Sequence, residues 1–165
     1  MYCTVEDLIA EWKREAVLTQ KILDSLTDEA LLQQVYPEGR TLGRIAWHFV
    51  TNIPDYLTEF GVSIAKVPNP NEVPSAKEIT EVFKAVSSQV INALQEQWTD
   101  DTLKQIQKAF GRTESNATIF IGLIKHIVHH RGQVTILMRQ AGLPIPAVYG
   151  PSKEGWAQLG VTPPL

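Results

Sequence analysis

The feature that most restricts the fold is the recurrence of apolar side chains at intervals of three and four, over long stretches, with no run that alternates apolar and polar residues. Leu8, Trp12, Glu15, Thr19, Ile22 and Leu26 keep that interval, and Ile9, Ala16 and Leu23 widen the stripe. Thr4 offers a capping oxygen, and Glu6 and Asp7 place acids at the positive end of the dipole, so a first helix starts there and ends near Leu26. The segment DEALLQQ adds one or two turns before Pro37 and Gly39 break the pattern.

Thr41 opens a second helix through Leu42, Ile45, Phe49, Ile53, Tyr56, Leu57 and Phe60, stopping at Gly61. Pro54, inside it, is expected to kink or split it. VPNPNEVP is a turn-rich connection. Ser75, with Glu78 three residues on, has capping-box spacing and starts a third helix that runs to Trp98. The stretch TDDTLKQIQKAFGRTES reads as a polar linker, and a fourth helix spans Asn116 to Ala141, closed by Gly142 and Pro144. Four long amphipathic helices define an all-α four-helix bundle. Its Pro- and Gly-rich tail carries Tyr149, Trp156 and Leu159, large apolar side chains that are expected to dock it on the bundle.

At 165 residues, 44% hydrophobic and 20% charged, the chain suits a single domain over 1–165 with a sizeable core. A net charge of -3, with both signs interleaved, offers no basic stripe for a phosphate backbone, so nucleic acid is not an expected partner. The only cysteine, Cys3, cannot close an internal disulfide. The beginning, MYCTVEDLIAEW, carries acids where a secretory signal needs bases, and no apolar run approaches the roughly 20 residues of a membrane span. The expectation is a cytoplasmic protein without a membrane partner.

Three of the four histidines fall within five residues of the fourth helix. At about 100° per residue, His126 and His130 lie about 40° apart on one face, roughly 6 Å along the axis. His129 points to the flank, about 60° from His126. Two imidazoles one turn apart can reach one transition-metal ion, and His48, on the second helix, can converge with them in a bundle core. Three neutral nitrogens would leave a coordination position open for water or substrate. Spacing also admits blander readings, in which His126 and His130 are hydrogen-bonded core residues. His48, beside Thr41, Arg44, Asn52, Asp55 and Glu59, would then lie on a solvated face.

HIVHHRGQVTILMRQAGLPIP resembles the histidine segment of the DinB-like family, the damage-inducible proteins of bacteria, and LGRIAWHFVTN resembles that family's second-helix motif. VYGPSKEGWAQLG is similar to the end of its members, so the resemblance covers nearly the whole chain. It implies an up-down-down-up bundle, commonly a homodimer, holding a divalent metal through His48, His126 and His130, with His129 outside the coordination sphere. Zinc and nickel are the metals expected first, although imidazole also suits iron and copper. Relatives in the family include transferases that use low-molecular-weight thiols such as bacillithiol, and a mycothiol-dependent isomerase. The resemblance therefore implies a metal-dependent thiol transferase or a hydrolase, acting on a small-molecule ligand or thiol. The other reading is a stress-response protein that binds a metal or ligand without catalysis.

Gln133, one turn from His130, can orient a histidine's second nitrogen or pair with backbone. Arg131 points away from the histidine stripe and reads as structural or interfacial. Gly132 costs a helix about 1 kcal/mol relative to Ala, which points to another element packed closely there. Trp12 and Trp47 suit the core or an interface better than a pocket. Asp55 and Glu59 lie too far along the helix from His48 to be assigned a catalytic role.

Overall fold

The computed structural model describes residues 3–68 and 72–163. Four long helices dominate: α1 (Val5–Leu23), α2 (Leu42–Thr58), α3 (Ala76–Gln97) and α5 (Asn116–Gln140). Two short ones, α4 (Asp100–Lys104) and α6 (Lys153–Gln158), and a hairpin of β1 (Ile106–Ala109) and β2 (Arg112–Ser115) complete the elements, with a 3-10 turn at Ala30–Leu32.

The caps lie where the sequence places them. Thr4 accepts from the Asp7 amide while the Asp7 carboxylate accepts from the Thr4 amide, a complete capping box. Thr41 and Ser75 start α2 and α3 by accepting from the amides of Arg44 and Glu78. The first helix ends at Leu23, earlier than expected, yet Leu26 remains buried because the turn that follows keeps the apolar stripe against the core. Pro54 does not split α2, which runs through it to Thr58. Residues 69–71 of the VPNPNEVP connection lie outside the described residues.

Helix directions follow from side-chain pairings. Trp12 Nε1 donates to the Ser87 carbonyl and Gln20 to the Thr80 carbonyl, so α1 and α3 run antiparallel. Trp12 meets Phe120 and Glu15 meets Arg131, so α1 and α5 run parallel. His48 lies by His130 and Tyr56 by Gly122, which makes α2 antiparallel to α5. The bundle is therefore up-down-down-up. Each long helix packs on two others, α1 on α3 and α5, and α2 on the same two. Trp12, Phe49, Phe83 and Phe120 are the largest fully buried side chains. Burying each contributes about 1.5–3 kcal/mol or more from apolar surface alone. Trp47 is buried as well, so both tryptophans belong to the core.

The stretch read as a polar linker folds into α4 and the hairpin. Only Ala109 of the two strands is buried, so the apolar alternation that reveals a strand is missing. The turn residues Phe110 and Gly111 both have positive φ, 51° and 74°, as a two-residue hairpin turn of the primed kind requires. Asn116, buried at the start of α5, fastens this unit: its amide nitrogen donates to the Thr102 carbonyl and its side-chain oxygen accepts from Gln107.

The tail docks by polar contacts. Tyr149 is 68% exposed, and Leu159 is exposed too, so neither is buried as expected. Instead the Tyr149 hydroxyl donates to the Glu15 carboxylate and accepts from Arg131, and Arg139 pairs with Glu154 of α6. Ile145 and Val148 supply the apolar part of the contact.

Candidate metal centre

His48 from α2 and His126 and His130 from α5 come together between the antiparallel helices. A ligand nitrogen from each lies within 4.8 Å of the others. Ring centroids of His48 stand 5.5 Å from His126 and 5.0 Å from His130, all near perpendicular. The Nε2 atoms of His126 and His130 face each other at 3.0 Å, within hydrogen-bond distance. Gln133 Oε1 accepts from His130 Nδ1 at 2.7 Å, which fixes the proton on that nitrogen and leaves Nε2 as the one carrying a lone pair, turned to His126.

All three imidazoles are held neutral at pH 7. Burial pushes His126 down to about 4, helped by His130 and His48. His48 is lowered by burial first, then by the charges of His130, Arg40 and Arg44. His130 is lowered by burial although its bond to Gln133 acts the other way. A neutral imidazole is the form that binds a metal. Three neutral nitrogens converging from two helices are a donor set that fits a divalent transition metal, and the cluster is compatible with metal binding.

The remaining candidates are not members of the three-histidine group. His129 is exposed, with its ring centroid 5.1 Å from that of His130. Asp55 is exposed and paired with Lys66 at 3.6 Å, and Glu59 is exposed. Asn52 is half-buried, with no side-chain hydrogen bond among the described residues. Arg131 is structural: it is buried and donates to Glu15, Thr19 and Tyr149 on the side of α5 facing α1. Gly132 is not closely packed, because a Cβ there would meet no atom within 4 Å.

Sequence reading missed the aromatic wall beside the cluster. Tyr56 lies over the His126 ring at 6.4 Å, inclined by 29°, and against Phe110 of the hairpin at 4.4 Å. Gly122 makes room for it, since a Cβ at that position would stand 2.6 Å from the tyrosine hydroxyl. The dipeptide Phe110-Gly111 between two short runs was the one available signal for the hairpin that brings Phe110 here.

An up-down-down-up bundle with a three-histidine cluster between its second and last long helices defines a class of small helical proteins suited to holding a metal. The chain belongs to the DinB family, whose model matches residues 1–164. It is 41% identical over 165 residues to the uncharacterised protein YrdA of Bacillus subtilis, with 99% of each chain covered. Among solved structures it is similar to a DinB-like protein of Bacillus cereus, at 46% identity and a TM-score of 0.86, covering 90% of this chain and all of that one. The DinB-like protein YjoA of Bacillus subtilis shares the fold at 14% identity, with a TM-score of 0.68 over 87% of this chain and 97% of its own. Among the described residues, no helix is long and apolar enough to cross a membrane.

Proposed function

We propose that the protein binds one divalent transition-metal ion through His48, His126 and His130, keeps a coordination position open, and uses it in a metal-dependent thiol transfer or hydrolysis. The observation that carries this reading is the convergence of three neutral imidazoles, with nitrogens within 4.8 Å, from two helices far apart in sequence. When bound, such an ion favours the thiolate of a small thiol or activates a water. Zinc and nickel are the first metals to try. The chain's own part is to hold the imidazoles neutral, to fix His130 through Gln133, and to wall one side with Tyr56. We also propose that the protein is a homodimer, which light scattering of the purified chain tests.

A second reading, a binding protein without turnover, draws support from the lack of a carboxylate in the cluster among the described residues. Nor is Cys3, exposed near the chain start, a member of the cluster. Elemental analysis of protein purified without tag or chelator, beside His48→Ala and His126→Ala, tests the metal. About one equivalent, lost in both variants, joins the two helices in one site. Absence of metal, even after reconstitution with zinc and nickel, refutes it. Turnover of a thiol with an electrophile, lost with the metal, then separates enzyme from binder.

A further inference from the structure

A cavity of about 510 Å³ opens beside His126, within the size range of a small-molecule site. Its walls are chemically divided. Tyr56 and Phe110 form an aromatic side, while Arg112 from β2 and Lys125 from α5 supply cations, with Glu114 as the one carboxylate in the lining. Neither Arg112 nor Lys125 has an ion-pair partner among the described residues. A second cavity, of about 830 Å³, is also lined by Arg112, Gly122 and Lys125, so these residues stand where two hollows meet.

The hairpin that makes this wall is strained where it touches the cavity. Phe110 has φ 51°, a left-handed conformation that a bulky residue rarely adopts, and its ring is half exposed against Tyr56. Asparagine or glycine would serve the turn at lower cost. A phenylalanine kept there places a flat apolar face at the cavity, two residues from the Arg112 guanidinium.

We propose that this cavity is the substrate pocket of the histidine site and selects a small organic molecule bearing one carboxylate. Arg112 and Lys125 receive the carboxylate, Tyr56 and Phe110 hold the apolar body, and the reactive end is directed to His126. Two cations against one glutamate leave a net single positive charge, which matches a monoanion better than a phosphomonoester. This proposal rests on the metal-site reading for what happens at His126, but its selection of the anion does not require the ion.

Benzoate, benzamide and phenyl phosphate are suitable probes, followed through the Gly111 and Gly122 amide resonances of the protein as purified and after removal of metal by chelation. Benzoate should bind about tenfold tighter than benzamide in both forms, as expected for a charge-assisted contact. Arg112→Gln should abolish most of that preference, Arg112→Lys should retain it, and Lys77→Gln, on α3, should leave it unchanged, with metal content the same in all three. Equal binding of benzoate and benzamide, or no saturable benzoate shift, overturns the proposal. So does a preference that appears only in the metal-loaded form and survives Arg112→Gln, because the ion then takes the carboxylate. Tighter binding of phenyl phosphate overturns the choice of a carboxylate. Protein that holds no metal as purified or after reconstitution with zinc and nickel, yet keeps the benzoate preference, refutes the metal reading alone.

Discussion

Replacing Arg131 by methionine should be one of the most destabilising changes available in the bundle. The guanidinium is 3% exposed and the Glu15 carboxylate 7% exposed. Arg131 donates to Glu15 Oε2 at 2.8 Å, the Glu15 carbonyl at 3.2 Å, Thr19 Oγ1 at 3.1 Å and the Tyr149 hydroxyl at 2.6 Å. Methionine fills similar space but leaves a buried carboxylate with only the tyrosine hydroxyl, and uncompensated buried charge of this kind costs about 3–5 kcal/mol. For a chain of this size each kcal/mol shifts the melting temperature by about 2–4 °C, so Arg131→Met should lower it by about 12 °C. Removing both charges in Arg131→Met/Glu15→Met should restore most of the loss, to within about 2 kcal/mol of wild type, because the desolvation cost disappears with the pair. Thermal and urea unfolding followed by circular dichroism measure both. A double variant as unstable as the single one, or a single variant within about 1 kcal/mol of wild type, would refute the claim that Arg131 neutralises Glu15.

Metal-free protein should lose stability as pH falls. Burial holds folded His126 down at about 4 against 6.5 for the unfolded chain. The unfolded state therefore takes up the proton first, so stability present above pH 6.5 is lost as pH falls toward 4, by about 1–2 kcal/mol for a half-buried imidazole, with no further change above pH 7. Urea midpoints in chelator over that window check it, and an unchanged slope in His126→Gln counts against it. Gln133→Leu frees His130 Nδ1 and should weaken metal affinity about 10–100-fold with little change in fold, read by competition with a chromogenic chelator. Gly132→Ala, in open space within a helix, should stabilise by about 0.5–1 kcal/mol; destabilisation would mean that an unseen neighbour packs there.

The bundle was legible because its signals are local and redundant. Thr4, Thr41 and Ser75 fix three helix starts, and Leu8, Trp12, Glu15, Thr19, Ile22 and Leu26 are all buried. The histidine pair was legible because one helical turn separates His126 from His130, whereas the inclusion of His48 depended on family likeness as well as periodicity. The hairpin was not legible, since β1 and β2 expose nearly every side chain and their pairing is carried by backbone. Tail docking misled for a related reason: Tyr149 is tied through its hydroxyl, which no hydrophobicity pattern encodes. Gly132 misled because a helical glycine signals tight packing only when something lies over it.

His130 and Arg131 are consecutive, yet one reaches toward α2 and the other toward α1. The last long helix is thus keyed on two sides at a single peptide, like a shaft held by opposed pins. Turning it about its own axis would withdraw the imidazole from its neighbours and the guanidinium from its carboxylate in the same movement. Sliding it by one turn would do so as well. Its azimuth is set by two polar contacts that must be satisfied together, so the placement of the histidines is enforced from the far side of the bundle.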